Sequence, residues 1–345
     1  MSTETTVPTT LREAIIHFSD PKVCHDLLLA TRFPNGVCCV HCGAVGPKFM
    51  ESVQRFKCYS CRKQFSLKTG TVLEDSPIPL TKWFPAFWLL TSAKNGISSY
   101  ELHRALGVTQ KTAWFMLHRI RHIFATGTFE KLAGVVEADE TFIGGLEKNK
   151  HKDKKSSGTQ GGAGKSVVLG ILERSSAHKV SQVRVKLGVD RSKDTLHNLL
   201  GSNIEQGSTL YTDAHKGYMG ISAMFAHDFI DHAVTYAKGA VHTNGMENYW
   251  SLMKRTMKGT YTHCEPFHLT KYIDEQAYRF NTRSETDGDR FVDALSQVSG
   301  KRLTYEALTS SHEAYYDEFM PRVDPADFDP NDAEYERNPP PMYLW

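Results

Sequence analysis

Four cysteines restrict what the first part of this 345-residue chain can fold into. They stand as Cys39-Val-His-Cys42 and Cys58-Tyr-Ser-Cys61, a C-x2-C-x15-C-x2-C spacing. Each C-x2-C turn presents two thiolates to one point, and two such turns supply the tetrahedral set that Zn2+ takes. Gly43, just beyond the first pair, gives the turn its freedom. Cys38 competes with Cys39, but only Cys39 completes a two-residue knuckle, and His41 is expected to point away. With four protein thiolates the zinc has no open position and is structural. Cys24 and Cys264 stand alone and read as small buried hydrophobes. Closely spaced thiols of this kind fit a reducing compartment, and the start Met-Ser-Thr-Glu-Thr-Thr-Val-Pro lacks the basic and apolar regions of a secretory signal. The longest apolar run, about Trp83 to Leu90, contains Pro85 and is far too short to span a bilayer, so no membrane partner is expected.

Charge is unevenly placed. Lys+Arg number 41 and Asp+Glu 39, a net of +2. Residues 1–130 carry 15 basic and 9 acidic side chains, residues 131–283 carry 21 and 16, and residues 284–345 carry 5 and 14. A basic body suits a polyanionic partner, and an acidic end suits a solvated tail or a shield for that body.

Element order follows from periodicity and punctuation. Leu11–Phe18 and Val23–Ala30 predict short helices broken at Asp20-Pro21. A longer helix is predicted from about Thr81 to Lys94. Ser98 with Glu101 forms a capping box, Gly107 stops that helix, and Thr109 caps another carrying Ala113, Leu117, Ile120 and Phe124. The pair reads as a helix-turn-helix, with a plain helical hairpin as the alternative. Strands are predicted at Val135–Ile143, Ser166–Glu173, Lys179–Val185 and Thr209–Thr212, with helices at Asp194–Leu200 and Met246–Met257. This is the order of a mixed α/β domain. Residues 146–164 read as a long Lys- and Gly-rich loop, and disorder is expected from about Glu318.

Three acids stand out by position. Asp139 lies within an apolar strand, where a charge is costly unless it serves something. Asp213 ends another strand. Glu247 opens a helix in which Lys254 follows on the same face. Singly, each has an ordinary explanation, as a turn former or as a favourable charge in a first helical turn. Together they form a set of hard oxygen ligands suited to Mg2+.

Several blocks in order now resemble one family: the cysteine pairs, Phe65-Ser-Leu-Lys-Thr-Gly-Thr71, Glu137-Ala-Asp-Glu-Thr-Phe-Ile-Gly-Gly145, Tyr211-Thr-Asp213, and His242-Thr-Asn-Gly-Met-Glu-Asn-Tyr-Trp-Ser-Leu-Met-Lys-Arg255. They are similar to the zinc-ribbon DDE transposases of insertion sequences, the ISXO-like group. The resemblance spans roughly residues 11–283 and implies an α/β RNase H-like catalytic domain preceded by a zinc ribbon and a helix-turn-helix domain. The implied boundaries are 1–36 for an N-terminal helical segment, 37–74 for the ribbon, 75–130 for the helix-turn-helix, 131–284 for the catalytic domain and 285–345 for an acidic extension. Asp139, Asp213 and Glu247 are then the acidic triad for two Mg2+ or Mn2+ ions, followed by Lys254. His242 and Asn244 are supporting residues, and some relatives carry Asn or His at the third acidic position. The implied activity is cleavage at transposon ends and transfer of the freed 3′-hydroxyl to target DNA.

Double-stranded DNA, as terminal repeats and target, is the expected partner, with a homodimer or higher oligomer bringing two ends together. Gln110, Lys111 and Thr112 open the second helix of the pair and are expected at base edges. Trp114 beside them reads as core, and Arg119 and Arg121 read as phosphate contacts, as does Arg255. Arg55, Lys57, Arg62, Lys63 and Lys68 make the ribbon a candidate DNA surface. Lys154 and Lys155, in the run from Lys148, are expected to grip DNA near the acids. Localisation would be cytoplasmic and nucleoid-associated in a bacterium, nuclear in a eukaryote. Gly161-Gly-Ala-Gly-Lys-Ser166 is not a P-loop, because Thr159 stands where the first Gly belongs and a strand follows. A non-catalytic DNA-binding regulator and a nuclease that cuts without joining are the rival readings.

Overall fold

The computed structural model describes residues 7–125, 130–144, 165–177, 179–230, 241–262 and 264–310. The expected Lys148–Lys155 grip and the acidic stretch beyond Glu318 lie outside them. The chain divides into two compact units: the first takes in the described residues within Met1–Thr126, Gly259–Thr262 and Thr282–Leu308, the second those within Gly127–Lys258, His263–Asn281 and Thr309–Trp345.

In the first unit, α1 (Leu11–His17) starts with a reciprocal capping box between Thr10 and Glu13. α2 (Pro21–Arg32) begins at the proline that was expected only to break a helix. Asp20 is its N-cap and Pro21 occupies the first turn, where an amide is not needed. β1 (Lys48–Met50), β2 (Arg55–Lys57) and β3 (Gln64–Phe65) form a small antiparallel sheet. Across it Phe49, Phe56 and Phe65 pack with ring centroids 4.9 and 5.3 Å apart. α3 (Leu80–Ser92) is apolar nearly all round and forms the centre of the unit, burying Trp83, Phe84, Phe87 and Trp88. α4 (Ser99–Leu106) and α5 (Gln110–Arg121) are joined through Gly107 at φ 59°, with Ser98 and Thr109 as N-caps.

The core of this unit is completed from the far end of the chain. Phe291 lies against Phe18, Phe84 and Trp88 at 4.8 to 5.8 Å between centroids, carried by a helix that the strand-and-helix periodicity did not single out.

The second unit is built on a five-stranded sheet. β4 (Val135–Ile143) pairs antiparallel with β5 (Ser166–Glu173), and β5 with β6 (Gln182–Gly188). After α6 (Lys193–Asn203), β7 (Thr209–Asp213) runs parallel to β4, and β8 (Ala226–Ile230) parallel to β7. The strand order is β6-β5-β4-β7-β8. β6 lies three positions later than expected, because the pairing of Glu173 with Gln182 sets the register and leaves Lys179 and Val180 in the turn. α7 (Asn244–Thr256) and α8 (Leu269–Asn281) follow, and α9 (Asp287–Ser296), which carries Phe291, returns to the first unit.

Alternation along β4 gives the two sheet faces different jobs. Val136 and Ala138 pack with Leu196 and Leu200 of α6. On the opposite face Val168, Leu172 and Val183 pack with Met246, Tyr249 and Trp250 of α7 and Ile273 of α8. Gly170 lets α7 approach, since a Cβ there would lie 2.3 Å from Met246 Cε and 2.6 Å from Trp250 Cη2. No helix of the described residues is long and apolar enough to cross a membrane.

Candidate active site

The cysteine cluster is formed by two matching turns. Cys39 N–H donates to Ala44 O at 2.8 Å, and Gly43 N–H to Cys39 O at 2.8 Å. Cys58 N–H donates to Lys63 O at 3.0 Å across the second turn. The four sulfurs lie within 4.8 Å of one another, with Cys39–Cys61 and Cys42–Cys58 both at 3.7 Å. A tetrahedron with 2.3 Å metal–sulfur bonds has edges of about 3.8 Å, so the thiols fit Zn2+. Backbone N–H groups, Cys61's first, pull the Cys58 thiol down to about 6, toward the thiolate a metal needs. His41 stays out of the set, its ring edge-on to Phe65 at 6.2 Å.

The second cluster forms at the ends of two neighbouring parallel strands. β4 and β7 pair through Val135–Thr209, Val136–Leu210 and Glu137–Tyr211. Carrying that register two residues further brings Asp139 level with Asp213. Carboxylate oxygens of Asp139, Glu140 and Asp213 all lie within 4.8 Å of one another. Asp139 Oδ1 accepts the Glu140 amide at 2.9 Å, and Oδ2 accepts Trp250 Nε1–H from α7 at 3.0 Å. Burial, with the charges of Asp213 and Glu247 nearby, raises Asp139 to about 6. Glu247 and Lys254 are exposed on α7, and Glu247 is close enough for its charge to act on Asp139.

Glu140 was not singled out from sequence. Strand alternation turns it to the α6 side of the sheet, where Tyr218 O–H donates to its Oε1 at 2.5 Å. Burial raises Glu140 to about 7, and raises the Tyr218 phenol as well. Hard oxygen donors packed this closely repel one another until a cation offsets them, which fits a divalent metal site. Its signal in the sequence was only its place next to Asp139.

His242 is not among these carboxylates. Its Nδ1 lies 2.8 Å from Arg174 Nη2 and 3.5 Å from Glu137 Oε1, one step back from the cluster. Asn244 is the first residue of α7 and is exposed.

Two families match this chain in order: a transposase zinc-ribbon domain over residues 19–64 and an ISXO2-like transposase domain over residues 131–281. The chain belongs to the ISXO2-like, zinc-ribbon transposases. Among similar proteins is an uncharacterized protein in transposable element ISH50 of Halobacterium salinarum, 28% identical over 245 residues, covering 67% of this chain and 81% of the relative. Among solved structures, a simian T-cell lymphotropic virus intasome in complex with PP2A regulatory subunit B56 gamma aligns at 12% identity and TM-score 0.26, over 54% of this chain and 66% of that one. A likeness that low carries no argument.

Several DNA-contact expectations for this transposase meet a different environment. Arg119 is 4% exposed, donates to Glu74 O, and lies over Trp83 and Phe115 at 5.8 and 5.1 Å. Arg121 is buried over Tyr261. Both were expected at phosphates; the end of α5 from Met116 to Arg121 is buried all round, and there aromatic rings and a backbone carbonyl take the charge. Lys68 likewise turns inward, donating to Ser76 O and Ile78 O at 3.1 and 2.6 Å. Gln110 donates to Ser99 Oγ at 2.9 Å, and Lys111 sits over the Tyr305 ring at 4.8 Å. Thr112 N–H donates to the Thr109 hydroxyl at 3.1 Å, and the two hydroxyls are hydrogen-bonded at 2.8 Å. Arg255 is exposed on α7.

Proposed function

We propose that this transposase binds the terminal repeats of an insertion sequence and catalyses metal-dependent cleavage and strand transfer there. The observation that supports it most is the β4–β7 register, which brings Asp139 beside Asp213, with Glu247 on the helix that hydrogen-bonds Asp139. A mixed sheet with three antiparallel strands, two parallel ones and acids at the ends of its central strands supports an RNase H-like reading. α4 and α5, joined by a short Gly turn, support a helix-turn-helix.

Asp139, Asp213 and Glu247 would hold two divalent ions, with Glu140 at their edge. When bound, such ions supply Lewis-acid polarisation of the scissile phosphate, a lowered pKa for the attacking water or 3′-hydroxyl, and charge stabilisation at the leaving oxygen. The protein's own part is placement. Trp250 N–H fixes one oxygen of Asp139, and the Glu140 amide fixes the other. Lys254 and Arg255, exposed in the last turn of α7, would meet DNA phosphates near the cut. At the other end of the chain, Gln110, Lys111 and Thr112 would face base edges from the first turn of α5. Copies of the protein would pair to hold two ends, in the cytoplasm of a bacterium or the nucleus of a eukaryote.

The test is strand transfer on the element's terminal repeats in Mg2+, with wild type beside Asp213→Ala. Loss of cleavage and joining with end binding retained is expected. Joining that persists in Asp213→Ala would overturn the assignment, and specific binding without cleavage by wild type would favour a regulator.

A further inference from the structure

The three elements that carry Asp139, Asp213 and Glu247 are joined a second time, one step back from the acids, by an ion pair between buried Glu137 and half-buried Arg174. Glu137 is 1% exposed and lies two residues before Asp139 on the same face of β4. Its Oε1 accepts Arg174 Nε–H at 2.7 Å, and its Oε2 accepts the Met246 amide in the first turn of α7 at 2.9 Å. Thr243, the N-cap of α7, makes no side-chain capping bond. The carboxylate that an N-cap would supply therefore comes from the sheet.

Arg174, which follows β5 directly, completes the link. Its guanidinium lies over the Tyr211 ring at 4.9 Å, and Tyr211 is the β7 register partner of Glu137, two residues before Asp213. Its Nη2 donates at 2.8 Å both to His242 Nδ1 and to His242 O, in the segment leading into α7. One guanidinium thus touches β4, β7 and the entry to α7. A planar fork of donors suits this task, where a lysine would satisfy one direction at a time.

We propose that Glu137 and Arg174 are positioning residues that hold the start of α7 against β4 and β7, and so place Glu247 to share a divalent cation with Asp139 and Asp213. This rests on the reading of those three acids as the metal site. A buried ion pair is weak evidence of added stability, because desolvation offsets much of its attraction; what it does add here is a fixed geometry. Outer partners of metal ligands commonly alter metal affinity by about 10- to 100-fold.

The test is Mn2+ binding to the full-length, zinc-loaded chain, followed by electron paramagnetic resonance, with far-UV circular dichroism and zinc content as controls for folding. Glu137→Gln and Arg174→Lys are each expected to weaken Mn2+ binding by about 10-fold or more. Combined with Glu247→Gln, each is expected to add little to the loss from Glu247→Gln alone, since both act through the placement of that carboxylate. Unchanged Mn2+ affinity in the folded variants, or losses that multiply with Glu247→Gln, overturns the proposal. If Glu137→Gln does not fold, Arg174→Lys and Gly245→Ala decide it. A Cβ at Gly245 would lie 2.8 Å from Glu137 Oε2, so the alanine presses on the carboxylate without removing a charge. It is expected to weaken Mn2+ binding in the same direction, and unmoved affinity in both variants overturns the proposal. Failure of the underlying reading looks different: Asp139→Asn and Asp213→Asn would then leave Mn2+ binding intact.

Discussion

The cysteine cluster and the carboxylate cluster are each a set of ligands without a core of their own, yet they are assembled over different distances. Cys39 and Cys61 are 22 positions apart, and their turns place the sulfurs almost unaided. Asp139 and the Trp250 that orients it are 111 positions apart, and only a finished sheet with α7 docked on it brings them together. The ribbon's three strands span 3, 3 and 2 residues, too little to hold four thiols against one another without a metal. The carboxylates sit on a sheet buried on both faces, which needs no ion to fold. Zinc would thus be part of the ribbon's fold, whereas on the proposed function a divalent ion at the acids would be part of the chemistry.

Breaking this contrast starts with zinc. Structural Zn2+ sites contribute on the order of 10–16 kcal/mol of apparent binding, most of it folding energy. Cys58→Ser, or removal of zinc by a strong chelator, is expected to abolish stoichiometric zinc and to eliminate the ribbon's protection in hydrogen exchange. The β4–β7 amides of the second unit should stay protected. Equal loss of protection in both would show that the two clusters are not independent in the way their construction implies.

The next test is pH, applied to metal-free carboxylates. Asp139 is raised to about 6 and Glu140 to about 7, in both cases first by burial. A folded pKa above the unfolded one means that the protonated group favours the fold. That stability is fully present below about pH 4 and is lost as pH rises through about 6 to 7. With Mg2+ or Mn2+ excluded, the melting temperature of the second unit should fall over this window. Added Mn2+ should raise it more at about pH 8 than at about pH 5. Asp139→Asn with Glu140→Gln should flatten the dependence, and a melting temperature already flat in wild type would contradict the burial of these acids.

This difference in construction also governs how much of the molecule could be read from its sequence. The ribbon ligands were legible from spacing alone, because the information sits in two four-residue turns. The capping boxes at Ser98 and, in structure, Thr10 are equally local. Asp139, Asp213 and Glu247 had ordinary explanations one by one; their positions at strand ends and a helix start suggested a set, and the family's pattern of blocks made it specific. Glu140, Trp250, Glu137 and Arg174 were not singled out, since their roles depend on which strand lies beside which. The inward turn of Arg119, Arg121 and Lys68 was missed for a related reason. A basic side chain reads as surface until the aromatic rings and free carbonyls around it are known. α9 was missed because its partner, α3, is separated from it by most of the chain.

A smaller effect probes the docking of α7. Gly170→Ala would place a Cβ 2.3 Å from Met246 Cε, on a helix already held to β4 through Glu137 and Asp139. Overpacking of this kind costs about 1–3 kcal/mol. The melting temperature of the second unit should drop while zinc content stays at one per chain. Because α7 must shift, Mn2+ affinity should fall too, whereas a drop in melting temperature alone would mean that the helix yields without moving Glu247.

The smallest effect separates the two halves of the ribbon. Gly43 follows Cys42 at φ 75°, and Arg62 follows Cys61 at φ 62°, so both knuckles close through the left-handed region. A side chain there costs about 1–2 kcal/mol, which glycine avoids. The first knuckle carries no such strain and the second does. Gly43→Ala should therefore weaken the ribbon by about 1 kcal/mol, and Arg62→Gly should strengthen it by somewhat less, since glycine gives back some chain entropy in the unfolded state. Competition for Zn2+ against a chromophoric chelator reads both shifts directly. If Arg62→Gly weakens zinc binding instead, the arginine is doing something for the ribbon beyond occupying the turn, and the two knuckles are not equivalent despite their shared backbone.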